Sequence, residues 1–118
     1  FGLTELLNDE CSTKQAMCSS QIRNLTLLTA GARAHNPQEL LGLPKFAQTV
    51  MSSLDHFDSV LIQTPGGHTI ADGQFVWALT KSVMMLARRN DTKSRDLVAT
   101  ADLIRECGAH IIGTVLTG

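Results

Sequence analysis

The chain has 118 residues and a mass of 12.8 kDa, which suits one compact domain, residues 1–118, with room for a hydrophobic core. Hydrophobic residues make up 43% of it and charged residues 18%, a balance that excludes a disordered, collagen-like or coiled-coil protein. Ten basic residues against eleven acidic ones give a net charge of −1, so the composition predicts no nucleic-acid partner. Three cysteines without a C-x-x-C pair favour free thiols in a reducing compartment.

Short elements are predicted at the start of the chain. Residues 3–8 and 14–18 have the pattern of short helices, each of no more than two turns. Residues 25–29 are an apolar run between Asn24 and Gly31, and this pattern predicts a buried strand.

Two more helices are predicted next. Asn36 is a suitable N-cap, Pro37 suits the first helical position, and Glu39 stands where a capping glutamate is expected. This helix is short, because a glycine and a proline interrupt it. A longer helix follows, whose apolar residues recur every three or four positions: Phe46, Val50, Leu54 and Phe57.

Strands and helices alternate in the second half of the chain. A helix is predicted over residues 72–79, and another begins at Thr92 or Ser94 and ends at Gly108, where a C-terminal glycine cap is expected. Three short apolar runs bounded by turn residues predict strands, and these are residues 59–63, 82–87 and 111–116.

The predicted fold class is α/β, a mostly parallel sheet flanked by helices. The strands are apolar throughout instead of alternating, which favours a sheet buried on both faces and joined by right-handed crossovers. Ligands bind beyond the carboxyl ends of the strands in such sheets. The candidate site is therefore formed by the loops that follow Thr29, Gln63, Ala87 and Leu116.

Side-chain chemistry alone completes no active site. The sequence has no Gly-Lys pair, hence no P-loop, and no G-x-S-x-G elbow. Residues 64–68 favour an ordinary turn, and an anion-binding loop is the alternative. Arg88 and Arg89 favour a solvated pair of side chains, and a phosphate-binding pair is the alternative. Both alternatives stay open. Surface or rim positions explain the histidines, which lack metal-ligand spacing: His35, His56, His68 and His110.

Four stretches of the sequence together resemble a known family, and they occur in the same order and at the same spacing as in that family. Residues 24–31, NLTLLTAG, and 36–41, NPQELL, are similar to the NLxLLxAG…NPxELL stretch of the bacterial tyrosine kinases that control chain length in exopolysaccharide synthesis and export. Residues 57–65, FDSVLIQTP, resemble the family's FDxVLIDTPP Walker B strand. Residues 108–116, GAHIIGTVL, resemble its GAxxxGxVLN ending, and Asp72 falls at its acidic position in xDAxxLA.

The resemblance implies a partial P-loop ATPase fold of the MinD/ParA group, the C-terminal portion of a tyrosine-kinase-like domain. The family's Walker A region would lie upstream of Phe1, so ATP and Mg²⁺ are expected only for an intact family member and no cofactor is expected for this chain alone. The resemblance also implies a homo-oligomer, or docking to a membrane-anchored adaptor or polysaccharide-export protein. The chain is then expected to be cytoplasmic, or peripheral at the inner membrane through that partner.

The nucleotide-binding positions carried over are Gln63, Thr64, Asp72 and Thr117, and no residue is assigned a catalytic or metal-binding role. Gln63 stands at the Walker B aspartate, where a neutral amide brings no charge to Mg²⁺. Thr117 replaces an asparagine that the family places near the adenine base. The chain also holds no tyrosine. Because losing one electrostatic element commonly costs about 2.7–4 kcal/mol of transition-state stabilisation, this chain alone is predicted to be inactive.

Three interpretations follow. The chain is part of a tyrosine-kinase-like ATPase; or it is a noncatalytic assembly module derived from that fold, which Gln63 and Thr117 favour; or it is an unrelated small-ligand module. The family's P-loop strand lies between the strands matched by residues 59–63 and 82–87. We therefore predict that these two strands pair directly or that a second chain fills the gap, because unpaired backbone groups on apolar strands must be satisfied.

Overall fold

The computed structural model describes residues 1–64 and 70–118, with the backbone alone of Ile70. These residues fall into two compact units, Phe1–Leu61 and Ile62–Gly118. The single domain inferred from length stays a prediction. Most of the turn predicted at residues 64–68 lies outside the described residues, and so does His68.

The first unit combines short helices with a hairpin. Its elements are α1 (Leu3–Leu7), α2 (Thr13–Ala16), β1 (Met17–Ser19), β2 (Thr26–Leu28), α3 (Pro37–Leu41) and α4 (Pro44–His56). Helices α1, α3 and α4 confirm three of the predicted helices. The buried apolar side chains of this unit are Leu6, Leu7, Ala16, Leu40 and Phe46.

The helix predicted over residues 14–18 is only partly right. Ser12 caps α2 reciprocally: its Oγ accepts the Gln15 N–H at 3.2 Å, and Gln15 Oε1 accepts the Ser12 N–H at 2.9 Å. The helix ends at Ala16 because Met17 has extended backbone angles and opens β1. The second half of the predicted helix is therefore a strand.

The strand predicted over residues 25–29 is shorter and less buried than expected. β2 pairs antiparallel with β1, with Cys18 opposite Leu27. Leu25 and Leu27 are 42% and 43% exposed, so burial in a parallel sheet was a wrong prediction. The Ser20 hydroxyl donates to the Leu25 carbonyl at 2.7 Å and closes a short connection, and short connections join antiparallel strands.

The first turn of α1 is held by the residues that follow β2. The Leu3 N–H donates to the Thr29 carbonyl at 2.7 Å, and the Thr4 N–H donates to the Ala30 carbonyl at 3.0 Å. The Glu5 carboxylate accepts the N–H groups of Gly2 and Ala32, each at 2.9 Å. The otherwise unsatisfied donors of the helix start thus find partners, and the loop after Thr29 serves this junction.

The strand predicted over residues 59–63 is wrong. Residues 59–64 form neither helix nor strand, and the Leu61 side chain is 96% exposed. An apolar run becomes a strand only with a ladder partner, and the strands of the described residues pair as β1 with β2 and β3 with β4. Direct pairing of residues 59–63 with residues 82–87 is therefore not found. The second chain stays a prediction.

The second unit is a helix followed by a β-α-β arrangement. Its elements are α5 (Ile70–Thr80), β3 (Ser82–Arg88), α6 (Ser94–Glu106) and β4 (His110–Thr117). All four confirm predicted elements. Strands β3 and β4 are parallel, with Met84 opposite Gly113 and Leu86 opposite Val115, and an irregularity lies between Val83 and Met84.

The end of α6 confirms the predicted glycine cap. Gly108 has φ +77°, its N–H donates to the Arg105 carbonyl at 2.9 Å, and the Ala109 N–H donates to the Ile104 carbonyl at 3.2 Å. This pair of bonds is the Schellman arrangement. It turns the chain directly into β4.

The core of the second unit lies between its helices and one face of its sheet. Trp77, Met85, Ile104 and Ala109 form a buried cluster. The other sheet face is not covered: Leu86 is 65% exposed. The expectation of a sheet buried on both faces is therefore wrong for the described residues.

Candidate functional site

The carboxyl ends of β3 and β4 meet at one edge of the sheet, where the predicted site was expected. Thr117, the last residue of β4, pairs with Arg88, the last residue of β3. The Arg89 N–H donates to the Thr117 carbonyl at 2.7 Å, and the Thr117 hydroxyl donates to the Ala87 carbonyl at 3.3 Å. Thr117 is thus fixed to the end of β3, with hydroxyl lone pairs still able to accept a hydrogen bond.

Thr92 closes the loop that follows β3, although the sequence predicted it as a possible helix start. Thr92 was a candidate helix start, but α6 begins at Ser94 and Thr92 instead bonds to Arg88. Its hydroxyl accepts the Arg88 N–H at 2.8 Å, and its own N–H donates to the Arg88 carbonyl at 2.9 Å. Asn90 in between has φ +63°. A threonine four positions after a strand end, with asparagine between, is a signal for such a turn.

Arg88 and Arg89 present exposed side chains at this edge. Neither belongs to an ion pair among the described residues, whose ion pairs are Lys45 with Asp9 and Arg105 with Asp102. Their main chains hold the loop and Thr117 in place. Both a solvated pair and an anion contact are compatible with this arrangement, so the alternative stays open.

Asp72 lies in the first turn of α5 and is half-buried. Trp77, near the end of the same helix, packs with Met85 of β3, and a single residue, Lys81, separates the helix from the strand. The helix therefore leads directly into β3, and its C-terminal part shares the core cluster with that strand. A carboxylate in a first turn also interacts favourably with the helix dipole.

Gln63 and Thr64 lie in the irregular stretch before the undescribed residues. Gln63 is exposed and Thr64 is half-buried. Among the described residues, no side-chain hydrogen bond links either of them to Asp72 or Thr117. The structure thus brings Thr117 to the end of β3, but among the described residues it shows no contact that joins Gln63, Thr64, Asp72 and Thr117 into one site.

The described residues do not fit a magnesium ion. Hard divalent cations take oxygen ligands and favour carboxylates, whereas Gln63 offers one neutral amide oxygen. Within residues 1–64 and 70–118, no group of three or more His, Cys, Asp or Glu side chains could hold a metal ion. Cys11, Cys18 and Cys107 are free thiols, as predicted.

One carboxyl in the first unit has a clearly shifted pKa. The pKa of Glu5 is lowered from its ordinary value of 4.5, chiefly by the hydrogen bond from the Ala32 N–H and also by that from Gly2. Two backbone donors favour the charged form. This carboxylate holds a structural junction, since both donors belong to the chain itself.

The chain is similar to bacterial tyrosine kinases over nearly its full length. It is 27% identical to the putative tyrosine-protein kinase CapB of Staphylococcus aureus over 98% of this chain and 50% of CapB. It is 29% identical to the tyrosine-protein kinase ptk of Acinetobacter johnsonii over 98% of this chain and 16% of ptk. No protein-family model matches it.

Solved structures agree with these relatives. The chimerical protein CapA2B2 superposes with a TM-score of 0.91 at 28% identity, over 98% of this chain and 51% of that one. The BceF tyrosine kinase domain superposes with a TM-score of 0.89 at 25% identity, over 99% of this chain and 48% of that one. The chain is therefore homologous to bacterial tyrosine kinases and shares the α/β fold of their kinase domains. It spans about half or less of the length of these proteins.

No helix within the described residues has both the length and the apolar character needed to cross a membrane.

Proposed function

We propose that this chain is a portion of a bacterial tyrosine-kinase-like ATPase domain that serves exopolysaccharide synthesis or export, and that the chain alone transfers no phosphate. The observation that carries the proposal is the near-complete alignment with kinase domains, in sequence and in structure, of a chain whose Walker B position is Gln63. The alignment supports the kinship, and the residue at position 63 supports the loss of activity.

The physical reason lies in the charge that phosphoryl transfer requires. Catalysis of this reaction depends almost entirely on positioning and on electrostatic stabilisation of the transferred group. A glutamine cannot neutralise a divalent cation, and removing one electrostatic element commonly costs about 2.7–4 kcal/mol. The residues of this chain supply neither a P-loop lysine nor a Walker B carboxylate.

A second candidate is a noncatalytic assembly module that keeps the fold and its partner surfaces. Gln63 and Thr117 favour it, since Gln63 is neutral where the family has a carboxylate and Thr117 lacks the side-chain amide of the family's asparagine. The partners that we propose for either candidate are further copies of the chain or a membrane-anchored adaptor of polysaccharide export.

Calorimetry with MgATP and MgADP tests the proposed inactivity of this chain, and the same measurement on the longer protein separates the two candidates. We expect no nucleotide binding by this chain. In the protein encoded by the whole gene, we expect Gln63→Asp to raise magnesium-dependent ATP hydrolysis and the matched neutral variant Gln63→Asn to leave it unchanged. A longer protein that binds no nucleotide even with aspartate at position 63 would favour the assembly module. Tight MgATP binding by this chain alone would overturn the proposed loss of activity.

A further inference from the structure

An open groove lies along one flank of α6. It is lined by Met85 of β3, Thr114 of β4 and several side chains of α6, and its volume is about 250 Å³. Met85 is buried, whereas Val98, one of the lining residues of α6, is 61% exposed. The groove therefore joins the apolar core of the second unit to an apolar side chain at the surface.

The flank of α6 at this groove combines apolar and charged groups. Val98, Ala101, Asp102 and Arg105 follow one another at helical spacing, which places them on one face. The Asp102 carboxylate lies 3.8 Å from the Arg105 guanidinium, and their side chains are 63% and 65% exposed. An ion pair this exposed contributes little to the stability of the chain itself, so both charges remain available to a partner.

The order of these side chains is complementary to itself in reverse. In a second copy that runs antiparallel, with the symmetry axis between Ala101 and Asp102, Arg105 of one copy lies opposite Val98 of the other. The arginine stem then covers the valine, and its guanidinium can reach the Asp102 carboxylate of the other copy one turn away. A parallel copy would instead place like charges opposite each other, which is unfavourable.

We infer that two copies of this chain associate through this flank of α6, as an antiparallel pair related by a two-fold axis. Such an interface uses the same patch on both copies, which the self-complementary order of side chains permits. The net charge of −1 opposes association only weakly. The inference rests on the proposed function in that it names a surface for the further copies proposed there, and the contact itself requires no nucleotide.

The length of α6 limits the strength of this association. Its 13 residues make a helix about 20 Å long. One pair of helices of that length buries less than the roughly 1,200 Å² of a standard interface, and contacts below that size belong to weak, transient complexes. We therefore expect a reversible dimer that dissociates on dilution.

Sedimentation velocity of the wild-type chain, at concentrations up to about 1 mM where weak interfaces associate, measures this equilibrium. We expect monomer and dimer in exchange. Val98→Lys should raise the dissociation constant at least tenfold, because it replaces an apolar contact with a second cation beside Arg105 of the other copy. Leu86→Lys is the matched control: Leu86 is 65% exposed on the sheet face turned away from the helices, and this variant should leave the dissociation constant unchanged.

Charge reversal separates pairing from misfolding. Asp102→Arg gives a flank with two cations and Arg105→Asp gives one with two anions, so each variant alone should associate at least tenfold more weakly than the wild type. An equimolar mixture of the two variants should restore a dimer, because opposite charges then meet across the axis. Both side chains are largely exposed, so circular dichroism of each variant should match that of the wild type.

Three results would overturn the inference: a wild-type chain that stays monomeric throughout, a dimer that Leu86→Lys dissociates while Val98→Lys does not, and folded charge-reversed variants that fail to associate when mixed. The proposed function is tested separately. A chain that dimerises as described and binds MgATP tightly would reject the proposed loss of activity and leave this inference standing, whereas a monomer that binds no nucleotide would do the reverse.

Discussion

The indole of Trp77 lies against Gly73, one helical turn earlier on α5. A Cβ at Gly73 would stand 2.9 Å from Cζ2 and 3.1 Å from Cε2 of Trp77, closer than side-chain carbons normally approach. A glycine inside a helix costs about 1 kcal/mol relative to alanine. The residue therefore weakens the helix locally but lets the indole reach the cluster with Met85 and Ile104.

We expect Gly73→Ala to destabilise the chain by about 1 kcal/mol. The gain in helix propensity is offset by overpacking, which typically costs about 1–3 kcal/mol. Trp77 is the sole tryptophan and the chain has no tyrosine, so denaturant unfolding followed by fluorescence reports this site directly. The same substitution in a Trp77→Phe background should lower the free energy of unfolding by less, or even raise it. Circular dichroism follows unfolding there, because the tryptophan is gone. An equally large loss in both backgrounds would show that the indole is not the cause.

The long periodic elements were predictable because their pattern matches their burial. α4 and α6 show helical spacing of apolar residues, and the buried Phe46 and Ile104 belong to those faces, although Leu54 on α4 is 48% exposed. The cap at Gly108 was likewise readable, since only a residue that tolerates positive φ suits that position. The residues within such a helix and at its ends determine where it begins and ends, so its position could be predicted without knowledge of distant contacts.

Residues 59–63 and 25–29 were not predictable in the same way, because a strand depends on its partner. The first run has no ladder partner among the described residues, and the second pairs with residues that were expected to be helical. The capping box from Ser12 to Gln15 was available in the sequence and would have placed the start of α2 correctly. Of the candidate site, only the position of Thr117 at the sheet edge follows from the alternation of strands and helices.

We expect Gly108→Ala to destabilise the chain and Gly113→Ala not to destabilise it, although the chemical change is the same. Gly108 has φ +77°, where an added Cβ costs roughly 1–2 kcal/mol. At Gly113, the new methyl group meets nothing within 4 Å and replaces a flexible glycine in a strand, so stability should stay equal or rise by a few tenths of a kcal/mol. Urea unfolding of the wild type and the two variants measures both changes in the free energy of unfolding. Equal losses would contradict the assignment of the Schellman cap.

We expect Ile104→Ala to destabilise the chain by about 2–5 kcal/mol, because the side chain is 1% exposed in the core of the second unit and its removal leaves a cavity. Val98→Ala removes apolar groups from the same helix at a side chain that is 61% exposed, and it should cost less than about 0.5 kcal/mol. Chemical denaturation compares the two. A small loss at Ile104 would show that the cluster around Trp77 is loosely packed.

The Glu5 junction predicts a loss of local stability in acid. The folded pKa of Glu5 is lowered, chiefly by the Ala32 N–H, so its contribution is fully present above the unfolded value near 4.5 and is lost as pH falls through the lower folded pKa. We expect the amides of Leu3 and Thr4, which bond to Thr29 and Ala30, to lose hydrogen-exchange protection in that acidic window, after correction for intrinsic exchange. In Glu5→Gln this extra loss should be absent, whereas it should persist in Glu10→Gln, whose carboxyl is exposed. Retention of the same acid dependence in Glu5→Gln would assign it to another group.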